Sequence, residues 1–322
     1  MSDRQHTETH IQAQFRVPLE ESGARIDQVL AKLLPEFSRA RLSQWVSEGW
    51  VLLDSKPCKP KSRVLGGELI EVSAELEPAV SWSAEAIDLQ VIHEDEDLIV
   101  VDKPAGLVVH PGHGNPNGTL VNALLSRYPE LELIPRAGIV HRLDKDTSGV
   151  LAVARSLRAH GSLVEQLKDR SMSRRYVALV YGQPLSQGTV DAPMDRHRTA
   201  RTKMAVVSAG KPAVTHYRVL SRTAHCAWLQ VKLESGRTHQ IRVHMTHIGH
   251  PLVGDPVYRQ GRPGLGQASP EAQELINAFP RQALHAEALG LMHPATGDAC
   301  EFKVSWPADL LALKNTLEMA DV

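Results

Sequence analysis

Within nine residues, His141-Arg-Leu-Asp-Lys-Asp-Thr-Ser-Gly149 brings together two acids, two bases, a histidine and two hydroxyls. Such a set could supply a carboxylate nucleophile with a cationic neighbour. It could equally be an ordinary charged hairpin loop, because Asp146-Thr-Ser-Gly149 is good turn chemistry, with glycine supplying any positive φ. A turn does not account for Arg142 and Asp144. They alternate with apolar Leu143 and so would share one face of an extended segment. Apolar runs flank the stretch, Ala137-Gly-Ile-Val140 before and Val150-Leu-Ala-Val-Ala154 after, and each reads as a short buried strand. Polar groups wedged between two buried strands sit at a strand end. Side chains can converge there on a cleft held by a rigid scaffold.

A second dense segment is Leu233-Glu-Ser-Gly-Arg-Thr-His-Gln-Ile-Arg-Val-His-Met-Thr-His-Ile-Gly249. The spacing predicts a helix capped by Thr238 and ended by Gly249, with Ile241, Met245 and Ile248 as its buried stripe. His239, His244, His247 and His250 invite a zinc reading. The HExxH arrangement is absent, no carboxylate sits at ligand spacing, and His239 and His250 fall at opposite ends of the helix, so no metal site is expected. Nucleic-acid contact or simple packing fits these histidines better.

The elements that would hold both segments read as an α+β domain. Leu89 to Glu94 is a strand, followed by an acidic turn and a buried strand over Leu98–Val101. The loop that follows starts at Lys103-Pro-Ala-Gly106 and carries glycines and prolines to residue 118. It lacks the G-x-x-x-x-G-K-[ST] order of a phosphate-gripping loop. Leu120–Leu125 is a short helix. Ser156 caps another, with Leu157, Leu163, Val164 and Leu167 as its stripe. Arg174 to Gly182 alternates as a strand that puts Tyr176, Ala178 and Val180 on one face. Residues 168–203 hold eight bases against three acids, and Arg196-His-Arg-Thr-Ala-Arg-Thr-Lys203 is a candidate basic loop through Arg196, Arg198 and Arg201. Strands follow at Val214–Leu220 and Ala227–Leu233. The tail holds a Gly/Pro/Arg loop at 259–270, a helix near 271–278, strands at Leu284–Leu291 and Glu301–Val304, and a helix after Pro307.

Ahead of this lies a smaller unit. Residues 1–17 are polar and His-rich and read as a disordered leader. A helix over Arg25–Leu34 is stopped by Pro35. A second, Arg39–Glu48, has Ser38 as its N-cap and Gly49 just past its end. A strand at Val51–Leu53, turns at Asp54-Ser55 and Gly66-Gly67, and a strand at Leu69–Val72 complete a helix–helix–β module. Residues 37–63 carry six bases, Arg39, Arg41, Lys56, Lys59, Lys61 and Arg63, against Glu48 and Asp54. Arg39 and Arg41 occupy a first helical turn, where the helix dipole disfavours cations by a few tenths of a kcal/mol. That placement points to an anionic partner; the alternative is an ordinary solvated face. Between Glu68 and Asp97 the balance reverses to ten acids and no Lys or Arg. Glu75-Leu-Glu-Pro78 and Ser81-Trp-Ser-Ala84 read as an acidic linker, which places the module at 18–80 and the larger domain at 81–322.

With 322 residues, 42% of them hydrophobic, the chain can bury two cores. Its 36 bases and 37 acids leave the distribution of charge, not the total, to indicate partners. Three widely spaced cysteines without CxxC argue against a disulfide framework or a thiolate zinc site. No apolar run approaches the ~18 residues of a membrane span. A soluble, cytoplasmic protein is expected.

Both dense segments resemble signatures of the RluA family of pseudouridine synthases. His141–Gly149 is similar to the stretch holding that family's catalytic aspartate, which falls on Asp144. Tyr176 in Arg-Arg-Tyr-Val-Ala matches its active-site tyrosine. Gly236-Arg-Thr-His-Gln-Ile-Arg242 matches the motif whose last basic residue pairs with the aspartate, hence Arg242. Lys103-Pro-Ala-Gly106 matches a further motif, and the N-terminal module resembles the S4 RNA-binding domain. The resemblance implies an S4-like module followed by a catalytic domain on a mixed, mainly antiparallel sheet with flanking helices. It implies isomerisation of uridines, in loops or single strands of large-subunit ribosomal RNA, by detaching uracil at N1–C1′ and rejoining it through C5. Atoms are conserved, so no cofactor is expected. His141, Arg142, Lys103 and Arg237 are expected to contact RNA or line the active site. A monomer is the default, since no heptad pattern or long exposed edge is evident.

Two rivals remain. A nucleosidase also attacks a glycosidic carbon but usually needs two carboxylates on opposite sides of the sugar. Asp144 and Asp146 are too close in sequence for that. An RNA-binding assembly factor with no catalysis, or only secondary catalysis, would need the same basic surfaces and not the Asp144, Tyr176 and Arg242 set.

Overall fold

In the computed structural model, residues 3–7, 10–35, 37, 39–75, 82–112, 114–200, 202–258 and 270–320 are described. Near its start the described chain forms paired strands. Ile11, Ala13, Phe15 and Val17 alternate with polar residues, so one face of the segment is apolar and needs cover. β1 (Asp3–Thr7) and β2 (His10–Arg16) pair antiparallel. The expectation of disorder over residues 1–17 is corrected for the described residues 3–7 and 10–17, where a period-two apolar set lies within a polar composition; residues 1, 2, 8 and 9 lie outside the described residues.

α1 (Ile26–Leu33) and α2 (Arg39–Glu48) follow, then β3 (Val51–Leu53), β4 (Lys56–Pro57) and β5 (Leu69–Glu75). The sheet order is β1-β2-β5-β3-β4. Asp54 and Ser55 both take positive φ, 48° and 60°, as a two-residue hairpin between β3 and β4 requires. Ile26, Val29 and Leu30 of α1 and Leu42, Trp45 and Val46 of α2 pack with Phe15, Ile70 and Val72 into one core. The expected Ser38 cap lies outside the described residues, as do the linker residues 76–81. From Trp82 onward the chain is docked on the larger domain: Asn122 Nδ2 donates to the Ser83 carbonyl at 2.7 Å, and Gly118 N–H donates to the Glu85 carboxylate.

The larger domain contains β6 (Gln90–Glu94), β7 (Leu98–Lys103), α3 (Leu120–Arg127), β8 (Ser148–Ala154), α4 (Leu157–Lys168), β9 (Ser173–Tyr181) and β10 (Gln187–Asp191). It continues with β11 (Met194–Arg196), β12 (Met204–Val206), β13 (Val214–Arg222), β14 (Cys226–Leu233), α5 (Gln240–His247), α6 (Pro270–Ala278), β15 (Leu284–Met292), β16 (Ala299–Lys303) and α7 (Ala308–Ala320). Its main sheet runs β10-β13-β14-β9-β15-β8-β7-β6, with β16 on β15. Every pairing is antiparallel except β15 with β8, so the sheet is mixed and mainly antiparallel, as the family resemblance implied. Every residue of β8 is buried. No helix among the described residues is long and apolar enough to cross a membrane.

Three local expectations are corrected. Ala137–Val140 is not a strand. Pro135–Gly138 forms a tight turn with Arg136 and Ala137 at positive φ, and only Ile139 bridges to Val153. Gly138 passes so close over β8 that a Cβ there would lie 2.0 Å from the Ala154 carbonyl oxygen, which excludes any other residue. Second, the turn after Asp144 closes at Thr147, whose N–H donates to the Asp144 carbonyl. Ser148 and Gly149 already belong to β8. Third, Thr238 does not cap α5; His239 holds that position in the left-handed region, φ 57°. Gln240 Oε1 instead accepts from the Arg237 N–H.

Candidate active site

The nine-residue stretch is an extended loop feeding β8, and most of it is tied down from below. His141 Nε2 accepts from the Ala152 N–H at 3.1 Å. The Lys145 carbonyl accepts from Lys103 Nζ at 3.0 Å and from the Gly106 N–H at 2.9 Å. Arg281 Nη1 donates to the Asp146 carbonyl, Gln282 Nε2 donates to Thr147 Oγ1, and Ser148 Oγ pairs with His285 Nδ1. Gly149 lies against the Ala286 carbonyl, where a Cβ would sit 2.2 Å from the oxygen. Leu143 is buried between Arg142 and Asp144, so those two side chains project together into a cavity.

Arg242 reaches Asp144 from α5. Its Nη1 donates to Asp144 Oδ2 at 2.9 Å. The remaining edge of the guanidinium is taken by Asp255, through Nε to Oδ2 at 2.7 Å and Nη2 to Oδ1 at 2.9 Å. Asp255 Oδ1 also accepts the N–H groups of Val257 and Tyr258. Burial opposes the charge on Arg242, but the bonds and charge of Asp255, and then those of Asp144, outweigh it and raise its pKa. Burial likewise works against the Asp255 carboxylate, and Arg242 outweighs it, holding that pKa low. The trio has a net charge of one carboxylate. Arg242 therefore orients Asp144 without cancelling it, since Asp255 has already balanced the guanidinium. Asp144 Oδ1 faces the cavity, with His239 Nε2 at 3.9 Å.

The cavity is about 500 Å³, large enough for a single base and part of its sugar. Tyr176, 6% exposed, walls it from β9. Burial raises the phenol pKa, Arg174 opposes this, and Asp144 adds to it. Arg136, Arg142, Lys168, Arg174 and Arg237 also line the cavity, against Asp144 as the one carboxylate among the described residues. Such a mouth favours an anionic ligand. Val164, expected in the buried stripe of α4, is instead 41% exposed at this cavity.

The sequence-predicted residues divide. Asp144, Tyr176, Arg242, Arg142, His141 and Arg237 meet in the cavity. Lys103 does not, and its expected RNA contact is corrected. It is fully buried, and its ammonium donates to the carbonyls of Pro104, Leu107 and Lys145 at 2.9, 2.8 and 3.0 Å. Burial pushes its pKa down to about 7 against the pull of Asp146 and Asp144. It braces the motif loop. His141 lines the wall but is similarly committed to Ala152, and burial together with Arg174 pushes its pKa down to about 3, so it stays neutral. Arg39 stays half exposed but is not a lone cation. Its guanidinium donates twice to Asp27 Oδ2, at 3.0 and 2.9 Å, so the cation in the first turn of α2 has an internal partner. Lys56, Lys59, Lys61 and Arg63 are exposed on the small unit. Arg196 and Arg198 are exposed at the β11–β12 hairpin, and Arg201 lies outside the described residues.

Sequence reasoning passed over Asp255, Tyr258, Arg281 and Gln282. Gly254-Asp-Pro256 carries turn residues and nothing that marks a carboxylate as aimed at Arg242. The four histidines in and around α5 are placed individually: His244 bonds Thr215 and the Ala192 carbonyl, His250 bonds the Tyr181 carbonyl, His239 bonds Tyr258, and His247 is exposed. One His/Asp group converges elsewhere among the described residues, His93, Asp95 and His293. His293 Nδ1 faces the N–H groups of Ala295 and Thr296, so Nε2 carries the proton and donates to Asp95 Oδ2 at 3.0 Å. A metal-ligating histidine needs the opposite arrangement, with its second nitrogen donating. The group is a hydrogen-bonded clasp between the β6–β7 turn and the end of β15.

Residues 97–247 match the family described as RNA pseudouridylate synthase, and residues 24–70 match the S4 domain. Over 308 residues the chain is 51% identical to the ribosomal large subunit pseudouridine synthase D of Pseudomonas aeruginosa, covering 95% of this chain and 96% of that one. It is also 51% identical over 302 residues to the protein of the same name in Xanthomonas campestris, covering 94% and 91%. Among solved structures, human RNA Pseudouridylate Synthase Domain Containing 4 aligns with a TM-score of 0.57 at 26% identity, over 71% of this chain and 93% of that one.

Proposed function

The chain belongs to the RNA pseudouridylate synthase family, and from that premise we propose that it isomerises uridines of large-subunit ribosomal RNA to pseudouridine with Asp144 as the nucleophile. The observation that carries this reading is the 2.9 Å bond from Arg242 to Asp144 Oδ2 at a cavity of base size, which leaves Oδ1 directed at the ligand. A carboxylate can add and then leave, as a reaction that detaches and reattaches one base requires. Tyr176 stacks on the uracil and its hydroxyl assists loss of the C5 proton. Arg142, on the same side of the loop as Asp144, contacts the RNA backbone or fills the gap left by the base. Arg237 and the other cations at the mouth hold phosphates.

The target uridine must leave its stack to reach Asp144, at a cost of a few kcal/mol that is least for loop or single-stranded RNA. The exposed Lys56, Lys59, Lys61 and Arg63 suit phosphate contact by the small unit. We take that unit as an RNA-binding module ending near residue 80, which raises the local concentration of RNA at the catalytic domain. The reaction conserves atoms, and we assign it neither cofactor nor metal. A cytoplasmic monomer is the working state.

The test is tritium release from ribosomal transcripts labelled at uridine C5. Release without free uracil is expected. Free uracil would indicate a nucleosidase, and RNA binding with no product would indicate a binding factor. Asp144→Asn is expected to abolish release while keeping RNA affinity within a few-fold. Retained turnover would remove Asp144 from the mechanism.

A further inference from the structure

His239 lies beside Asp144, and the reading above gives it no role. Its backbone is left-handed, φ 57° and ψ 21°, a conformation uncommon for a residue with a Cβ. From that position the ring lines the cavity while the carbonyl still accepts from the Val243 N–H in the first turn of α5. Nδ1 lies 2.7 Å from the Tyr258 hydroxyl, and that oxygen already accepts the Met204 N–H at 2.8 Å. The hydroxyl's own proton can then go to His239 Nδ1, the arrangement that leaves the ring proton on Nε2. Nε2 has Asp144 Oδ1 at 3.9 Å, too far for a hydrogen bond and close enough that one ligand atom could meet both groups. Tyr258 is itself fixed, since the Arg242 guanidinium lies over its ring at 5.0 Å and its N–H donates to Asp255.

We propose that His239, neutral and protonated on Nε2, donates a hydrogen bond to the target nucleotide beside the attacking oxygen of Asp144. It is thus a substrate-contacting catalytic residue whose tautomer Tyr258 sets. The inference rests on the pseudouridine synthase reading above. No proton is transferred; the N–H stabilises negative charge that develops on the nucleotide as Asp144 adds or the base departs. Protonation would disable the site. An imidazolium would close on Asp144 Oδ1 and occupy the nucleophile. The charged groups around the ring are Asp144 and Arg142 on the motif loop, Arg242 on α5, and Asp255 with Tyr258 on the following loop, with Lys203 behind them on the Val257 carbonyl. Burial first, opposed by Asp144 and reinforced by Arg242, lowers the pKa of His239, which keeps the donor uncharged at neutral pH.

Single-turnover tritium release at saturating C5-labelled ribosomal transcript tests this, with RNA affinity and thermal melting measured alongside. His239→Leu is expected to slow release roughly 100-fold, the loss typical of one removed transition-state donor, with affinity within a few-fold. His239→Gln keeps an N–H donor that cannot be protonated. It is expected to retain about a tenth or more of the rate and to move the acid limb of the pH profile to lower pH. Tyr258→Phe removes a bond that favours the neutral ring, so its acid limb moves to higher pH. A wild-type rate and pH profile in His239→Leu overturns the proposal, as does equal loss of rate and melting temperature in the Leu and Gln variants. Wild-type protein that releases no tritium defeats the functional reading itself, which separates the two failures.

Discussion

Two charge trios, one in each part of the molecule, are near mirror images. In the small unit, buried Asp27 is held by Arg25 and Arg39, whose side chains are 34% and 48% exposed. In the larger domain, buried Arg242 is held by Asp255 and Asp144, 0% and 14% exposed. Each trio sets one charge between two of the opposite sign and leaves one charge in excess. The excess in the small unit is a guanidinium near solvent, suited to a phosphate and worth little in any one place. The excess in the larger domain is a carboxylate at a cavity wall, where lower dielectric makes each interaction stronger. Burial, more than residue type, separates an excess charge left near solvent from one held at a cavity wall.

The comparison breaks most severely at Asp144. Asn there keeps the shape and removes the nucleophile, so single-turnover release should fall on the order of 10⁴-fold or more. Asp255→Asn comes next, because it leaves Arg242 with one anionic partner. The guanidinium should then pair more completely with Asp144 and damp it, slowing release roughly 100-fold. Breaking a buried pair should also cost about 3 kcal/mol in urea unfolding. Unchanged kinetics with lost stability would show Asp255 to be structural only. The triple change Lys56→Ala, Lys59→Ala, Lys61→Ala should leave turnover at saturating RNA intact. It should weaken binding about 10-fold and flatten the salt dependence by ~0.7 per lost phosphate contact on single-stranded RNA. A salt slope equal to wild type would remove these lysines from the interface.

Asp27→Asn sharpens the comparison with the smallest effect, about 1 to 2 kcal/mol of stability in the small unit. Burial opposes the Asp27 carboxylate, while bonds from Arg39 and Arg25 outweigh it and hold its pKa below 3.8. A depressed folded pKa stabilises the folded state at higher pH, and that contribution is lost as pH falls through the folded value. The gap in melting temperature between wild type and Asp27→Asn should therefore be full at neutral pH and shrink below pH 3.8. A gap that persists in acid would point to packing in place of charge.

Much of this site was legible before any coordinates. Arg142 and Asp144 could be separated from the turn residues because Leu143 between them had to be buried. Tyr176 and Arg242 followed from strand alternation and from resemblance. Lys103 was misassigned and the partner of Arg39 missed for one reason: a cation in a sequence carries no sign of what faces it. Lys103 faces three carbonyls, and Arg39 faces an aspartate twelve residues earlier. The strand at His10–Arg16 was missed because polar composition outweighed a short alternating apolar set. Its partner β5 is nearly the whole small unit away in the chain.

The sequence by itself determined the two-unit order, the period of most strands and helices, and the residue types able to supply a nucleophile, its cation and a stacking ring. Those properties are local, set by side-chain chemistry and by periodicities of two and 3.6 residues. Only the tertiary structure decided which charges are spent and which remain available. Asp255 absorbs one edge of Arg242, Tyr258 sets the face His239 presents, and Lys103 disappears under the loop it supports. Burial and partners are properties of contacts between distant segments, and these fix both the charge state and the direction of each group.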